Sequence, residues 1–178
     1  TEACSHLGLE SKSYLLATLH RPSNVDEPGA LERTVGVLEA AAGESPIVFP
    51  VHPRTRLRLE EFGLKDRVEA IPGVRLLEPL GYLEFLNLME QAAVVLTDSG
   101  GIQEETTFLG VPCLTLRENT ERPATITMGT NELVELDAGL VAHRIRALLN
   151  APRDGTAVPP LWDGKAAERV VDVLEEIL

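Results

Sequence analysis

The sequence predicts an α/β protein built on a doubly wound parallel sheet. Three observations carry this. Short apolar runs alternate with stretches of helical periodicity through residues 14–150. Connections of about two to six residues join them, the usual length in βα units. The runs end on His, Arg, Asp, Ser and Gly, polar and small residues of the kind that build ligand sites at the carboxyl edge of such a sheet.

Tyr14 to Leu19 is the first run, closed by His20-Arg21-Pro22, and residues 28–43 follow with Leu31, Val35, Leu38 and Ala42 at helical spacing. Residues 47–51 form the second run, closed by His52-Pro53, and residues 54–62 read as a charged helix carrying Leu57 and Leu59. After the turn at Pro72-Gly73 comes a strand at 74–77, then a helix at 82–91 with Leu83, Leu86 and Met89. Residues 93–97 are the fourth strand and 102–109 its helix, stopped by Gly110. A fifth strand at 112–116, a short helix at 122–128, a weak strand at 132–136 and a helix at 138–150 continue the order. Residues 151–163, with prolines 152, 159 and 160, read as a linker, and residues 164–178 as an amphipathic helix whose face of Ala166, Val170, Val173, Leu174 and Ile177 needs an apolar partner.

At 178 residues the chain is long enough to bury about 70% of its unfolded surface around one core. Its formal net charge of -12 argues against a non-specific nucleic-acid or anionic-membrane surface, so an anionic ligand must be held locally. With no long apolar run and no basic leader before an apolar one, a soluble, cytoplasmic protein is expected. Cys4 and Cys113 lack metal or redox spacing and read as ordinary thiols; His6, His20, His52 and His143 are too scattered for a metal motif. No metal is expected.

Four loops should therefore face one crevice: those carrying His20-Arg21, His52, Asp98-Ser99-Gly100-Gly101 and residues 117–122. A histidine or arginine at a single strand end is ordinarily a loop residue or a cap. Convergence of four sets shifts the balance toward a site. In Ser99-Gly100-Gly101 the missing side chains let a ligand approach helix-start amides, which favour an anion; Asp98 or Ser99 as a simple N-cap, with the two glycines making a tight turn, is the alternative. Glu104 and Glu105, placed in the first helical turn, are favoured there by the dipole alone, or one of them accepts hydrogen bonds from the vicinal hydroxyls of a ribose. Arg122, beside Pro123, is either an exposed loop residue or a bidentate phosphate ligand. The pattern is neither a G-x-G-x-x-G fingerprint nor a P-loop.

Leu19-His20-Arg21, Pro50-Val51-His52-Pro53, Leu96-Thr97-Asp98-Ser99-Gly100-Gly101-Ile102-Gln103-Glu104-Glu105, Thr120-Glu121-Arg122-Pro123 and Gly129-Thr130-Asn131 stand in the order and spacing of the non-hydrolysing UDP-N-acetylglucosamine 2-epimerases. The chain resembles that family from about Tyr14 to Leu136. The resemblance implies the Rossmann-like C-terminal half of a two-domain, glycosyltransferase-B-like fold: residues 1–13 from the interdomain region, residues 14–150 binding UDP. It implies an isomerase that interconverts UDP-GlcNAc and UDP-ManNAc, precursors of cell-wall polysaccharide, by eliminating UDP and adding it back, with no cofactor and with a homodimer as the full-length form. Ser99, Gly100 and Gly101 would then hold the diphosphate, Glu105 the ribose, Arg122 and His20 the phosphates, and Phe85 the uracil pocket. His20 would assist departure of UDP. Arg21 and His52 match residues that contact a second UDP-GlcNAc, an allosteric activator, in bacterial members. Two departures fall beside that second site: the family's His-Arg-Arg-Glu-Asn is His20-Arg21-Pro22-Ser23-Asn24, and its His-Pro-Asn-Pro is His52-Pro53-Arg54-Thr55. The family's acid and base carboxylates belong to the first domain, so this chain alone is expected to be inactive. A sugar-nucleotide glycosyltransferase and a stand-alone nucleotide-sugar sensor are the alternatives.

Overall fold

Strand and helix alternate as the hydrophobic pattern predicts. The computed structural model describes residues 3–151 and 158–177. It runs α1 (Ala3–His6), β1 (Leu15–Thr18), α2 (Pro22–Val25), α3 (Pro28–Ala42), β2 (Ile47–Pro50), α4 (Pro53–Glu61), α5 (Lys65–Glu69), β3 (Val74–Leu77), α6 (Tyr82–Gln91), β4 (Val94–Thr97), α7 (Gly100–Leu109), β5 (Cys113–Leu116), α8 (Pro123–Thr127), β6 (Asn131–Val134), α9 (Ala138–Asn150) and α10 (Ala166–Ile177). The strands form one parallel sheet in the order β3-β2-β1-β4-β5-β6.

Successive strand residues point to opposite faces, and in a parallel sheet covered on both sides each face needs its own core. Leu15, Ala17, Phe49, Leu96 and Leu114 pack under α3 and α9 with Leu31, Val35, Leu38, Val141 and Ile145. Tyr14, Leu16, Val48, Val95 and Cys113 pack on the other face with Leu88, Met89 and Ala92, and α1 adds Ala3 and Cys4 there. The Tyr14 hydroxyl, buried in this second core, donates to Leu88 O at 2.7 Å. Both cysteines are free and buried, and burial pushes the Cys113 thiol up to about 11.

The chain winds outward from β1 to β3 and then restarts at β4, so the order reverses between β1 and β4. There Thr18 pairs with Thr97. The residues that leave the two strands, His20-Arg21 and Asp98-Ser99, consequently emerge side by side at the topological switch point.

Several expectations need correction. The short helices α1, α2 and α5 were not foreseen, because four or five residues give no readable period. The last strand starts at Asn131 rather than 132 and ends at Val134, and Asn131 is buried although polar. Leu57 and Leu83, two of the apolar residues on these helices, are exposed by 59% and 61% and take no part in the core. Helix α7 starts at Gly100, not Ile102, so the glycines form its first turn and Glu104 and Glu105 lie beyond it. Position in the dipole field therefore does not account for either glutamate.

Residues 152–157 of the expected linker, and Leu178 of the expected terminal helix, lie outside the described residues. Helix α10 has the apolar stripe its sequence calls for, yet none of its residues is buried; Val170, Val173 and Leu174 stay more than half exposed. Among the described residues, no helix is long and apolar enough to cross a membrane, and no three His, Cys, Asp or Glu side chains are grouped to hold a metal ion.

Candidate functional site

Asp98 organises the switch point. It is fully buried at the end of β4 and accepts from the backbone N–H of His20 at 3.0 Å, the N–H of Arg21 at 2.9 Å and Asn24 Nδ2 at 3.1 Å. Asn24 also donates to Leu116 O at 3.1 Å, so one carboxylate and one carboxamide tie together the ends of β1, β4 and β5. These bonds turn Asp98 away from α7.

Ser99 occupies the N-cap of α7, but its side chain makes no capping hydrogen bond. With Asp98 engaged elsewhere, neither candidate side chain caps the first-turn amides, and the simple-cap alternative loses its support. Gly101 has open space where a Cβ would stand; at Gly100 a Cβ would meet Glu121 Oε1 at 3.3 Å.

Arginines ring this helix start. Arg21 donates through Nε to Asp98 O at 2.9 Å and lies 3.4 Å from Glu121 Oε1. Arg117 pairs with the other Glu121 oxygen at 2.9 Å and has one buried nitrogen without a hydrogen-bond partner. The Arg117 hydrogen bond and a backbone N–H hold the Glu121 carboxyl down to about 2, so it is an anion at any ordinary pH. Arg122, the residue before Pro123 at the start of α8, pairs with Glu104 at 3.3 Å. Glu104 is thus the partner of an arginine rather than a dipole complement.

His20 is one-third exposed, with Nδ1 3.3 Å from Asp98 Oδ1 but not hydrogen-bonded to it. Its ring stacks on His52 with centroids 4.8 Å apart. His52 caps α4 by accepting at Nδ1 from Arg54 N at 3.1 Å, which leaves the neutral ring as the bonded form. Burial first, then the neighbouring His20 ring and Arg54, lower its pKa, with Asp98 opposing.

Glu105 lies on the side of α7 that faces α6. Desolvation pushes its carboxyl up, and a hydrogen bond from the Tyr82 hydroxyl pulls the other way. It lines a cavity of about 400 Å³ with Tyr82, Leu86, Phe108, Leu109 and Trp162. Phe85, one turn along α6, is half-buried and packs against the core instead. The structure therefore brings His20, Arg21, His52, Ser99, Gly100, Gly101, Glu105 and Arg122 to one edge, while Phe85 sits beneath it. Arg117 and Glu121 stand in the 117–122 loop that the sequence places at the crevice, but their pairing, four residues apart, was not assigned there; Tyr82 and Trp162 carried no such signal.

The sequence and fold have counterparts in known proteins. A UDP-N-acetylglucosamine 2-epimerase of Methanocaldococcus jannaschii is 44% identical over 163 residues, which cover 90% of this chain and 44% of that protein. The crystal structure of a Methanocaldococcus jannaschii UDP-GlcNAc 2-epimerase in complex with UDP-GlcNAc and UDP superposes with a TM-score of 0.84 at 39% identity, over 98% of this chain and 48% of that one. A UDP-2,3-diacetamido-2,3-dideoxy-D-glucuronate 2-epimerase of Pseudomonas aeruginosa is 38% identical over 179 residues, 98% of this chain and 48% of that protein. The chain spans slightly under half the length of these relatives, and its fold is the C-terminal half of their two-domain, glycosyltransferase-B-like architecture. The family model for UDP-N-acetylglucosamine 2-epimerase matches residues 2–175, and to that family this chain belongs.

Proposed function

We propose that the chain is the UDP-binding half of a 2-epimerase that acts on a UDP-2-acetamido sugar, UDP-N-acetylglucosamine first. The observation that carries this is the uncapped start of α7 at the switch point, with Arg21, Arg117, Arg122 and His20 around it and Glu105 behind it. The amides of Ser99, Gly100 and Gly101 bind the diphosphate, aided by the helix dipole. Arg122 pairs with the same phosphates, and Glu105 exchanges Tyr82 for the ribose hydroxyls. Phe85 backs the uracil pocket from the core side, while Tyr82 and Leu86 on the same helix line the cavity that Glu105 faces.

In the reaction we infer, the proton on sugar carbon two is removed as the bond from carbon one to UDP oxygen breaks, leaving a glycal; UDP then adds back at carbon one while a proton is delivered to the opposite face of carbon two, which inverts it. His20 stabilises charge on the departing phosphate from 3.3 Å off Asp98. Proton removal needs a base at the sugar carbon. Around this crevice Asp98 is committed to amides, Glu104 to Arg122, Glu121 to Arg21 and Arg117, and Glu105 to Tyr82. We place the acid and base, as the family resemblance implies, in the other half of the full-length protein, so that this chain alone binds without turning over. Arg21 and His52 contact a second nucleotide sugar. In the full-length protein, residues 1–13 belong to the interdomain region, residues 14–150 form the UDP-binding domain, residues 151–163 link it to the terminal helix at 164–178, and the whole is a cytoplasmic homodimer.

Calorimetric titration of the chain with UDP should give a saturable signal; an intact fold that shows none at millimolar nucleotide overturns the assignment. For the full-length protein, epimerised UDP-sugar is expected; transfer to an acceptor with release of UDP would instead make it a glycosyltransferase. The Pseudomonas relative favours a uronate as the second substrate to try.

A further inference from the structure

Beneath the proposed diphosphate site lies a buried polar network that the sequence did not announce. Gln103, fully buried on α7, donates from Nε2 to Ser99 O at 3.1 Å, and its Oε1 accepts from Thr120 Oγ1 at 2.6 Å and from Asn131 Nδ2 at 3.1 Å. Asn131 also donates to Thr125 Oγ1 at 3.1 Å and accepts from Thr115 Oγ1 at 2.6 Å. The two threonines reach the main chain of one residue. Arg122 N donates to Thr120 Oγ1 at 3.0 Å, and Thr125 Oγ1 donates to Arg122 O at 2.7 Å.

The partners leave little freedom. Turning the Gln103 amide over would set its N–H groups against the Asn131 donor and its oxygen against the Ser99 carbonyl. Every side-chain nitrogen and oxygen of the two carboxamides has at least one partner, and Asn131 is 3% exposed. A buried polar cluster of this kind is no more stabilising than an apolar one of equal volume; what it adds is a single geometry.

We propose that Gln103 and Asn131 are positioning residues for nucleotide binding: they lock the Ser99 carbonyl at the start of α7 and both backbone groups of Arg122 into one frame. Diphosphate then meets amides and a guanidinium whose spacing is set in advance. This rests on the nucleotide assignment above, and the test separates the two.

The variant Gln103→Met keeps the volume and removes every bond of the amide. Hydrogen exchange on the unliganded chain should show faster exchange at the Arg122 amide while β1 and β4 amides keep their protection. In calorimetry with UDP, Arg122→Ala should weaken binding about tenfold in the parent chain and less than about twofold in Gln103→Met, the non-additivity expected of coupled residues. Unchanged Arg122 protection, a sheet-wide loss of protection, or effects that simply multiply would each overturn the positioning role. A parent chain that binds no UDP removes the nucleotide assignment, whereas intact UDP binding with normal Arg122 protection in the variant removes only the positioning role. If Gln103→Met does not fold, Thr120→Val cuts the same link at a half-buried position and carries the same expectations.

Discussion

Glu105 is a carboxylate kept where a neutral group would be more comfortable. Because burial raises its pKa in the folded state, the fold prefers it protonated: the penalty is absent below about pH 4 and grows as pH rises through the folded value. Glu105→Gln should therefore melt higher than the parent chain at pH 7 and together with it at pH 4, when followed by thermal unfolding. The same change should weaken UDP far more than pyrophosphate, because only UDP carries the ribose. Equal losses for the two ligands would place Glu105 outside the ribose pocket. Asp98 is the opposite case, since its contacts favour the native geometry directly. Asp98→Ala strands the His20 and Arg21 amides and Asn24 Nδ2 without an acceptor and should lower stability by about 3 kcal/mol or more, read from urea unfolding. Glu105 already read in the sequence as a ribose ligand, but its desolvation by the fold and the buried bonds of Asp98 were not legible there. Asp98 read there as a cap candidate, and only the pairing of β1 with β4 turns it toward His20.

At the scale of elements, α7 shows how far local pattern reaches. Glycines are poor helix formers, so the sequence puts the start at Ile102; the structure extends the helix two residues upstream. The sheet dictates this, because β4 delivers Ser99 at the crevice and α7 must leave from there. Gly100→Ala separates fold from function: alanine is the better helix former, and the Cβ meets side-chain ends alone, the Glu121 carboxylate at 3.3 Å and Arg21 Nη2 at 4.0 Å. Stability should hold or rise while UDP binding falls. Gly129 is constrained differently. An added Cβ would lie 2.4 Å from Thr107 Oγ1 and 2.6 Å from Thr125 O. Gly129→Ala must push α8 off α7, and we expect a loss of about 1–3 kcal/mol in urea unfolding together with weaker UDP binding. The long alternation, the strand ends and Gly110 as a left-handed helix stop were readable because each is a local rule. The buried bonds of Gln103 and Asn131 were not, since they join residues 17 and 28 positions apart.

For the whole molecule, two regions contribute unequally. The sheet and its covering helices hold the core, while α10 buries none of its residues. Deleting residues 165–178 should leave the unfolding midpoint of the chain unchanged and reduce its self-association in sedimentation; a large drop in midpoint would mean that α10 packs on this domain in solution. The sequence foretold the stripe on α10 because amphipathicity is local, but what covers it depends on surfaces beyond its own pattern. The two thiols, unremarkable as chemistry, make the chain its own stopwatch. Only a thiolate attacks a maleimide, and Cys113, fully buried on β5 between β4 and β6 with its pKa pushed up to about 11, must wait for the sheet to part before it is modified. Cys4 is buried too, but in the four-residue α1, which can open locally without the sheet, and should be tagged early, whatever the ligand. A nucleotide that binds only the closed sheet, supplied at a hundred times its dissociation constant, should slow the Cys113 clock about a hundredfold and leave that of Cys4 running at its old rate.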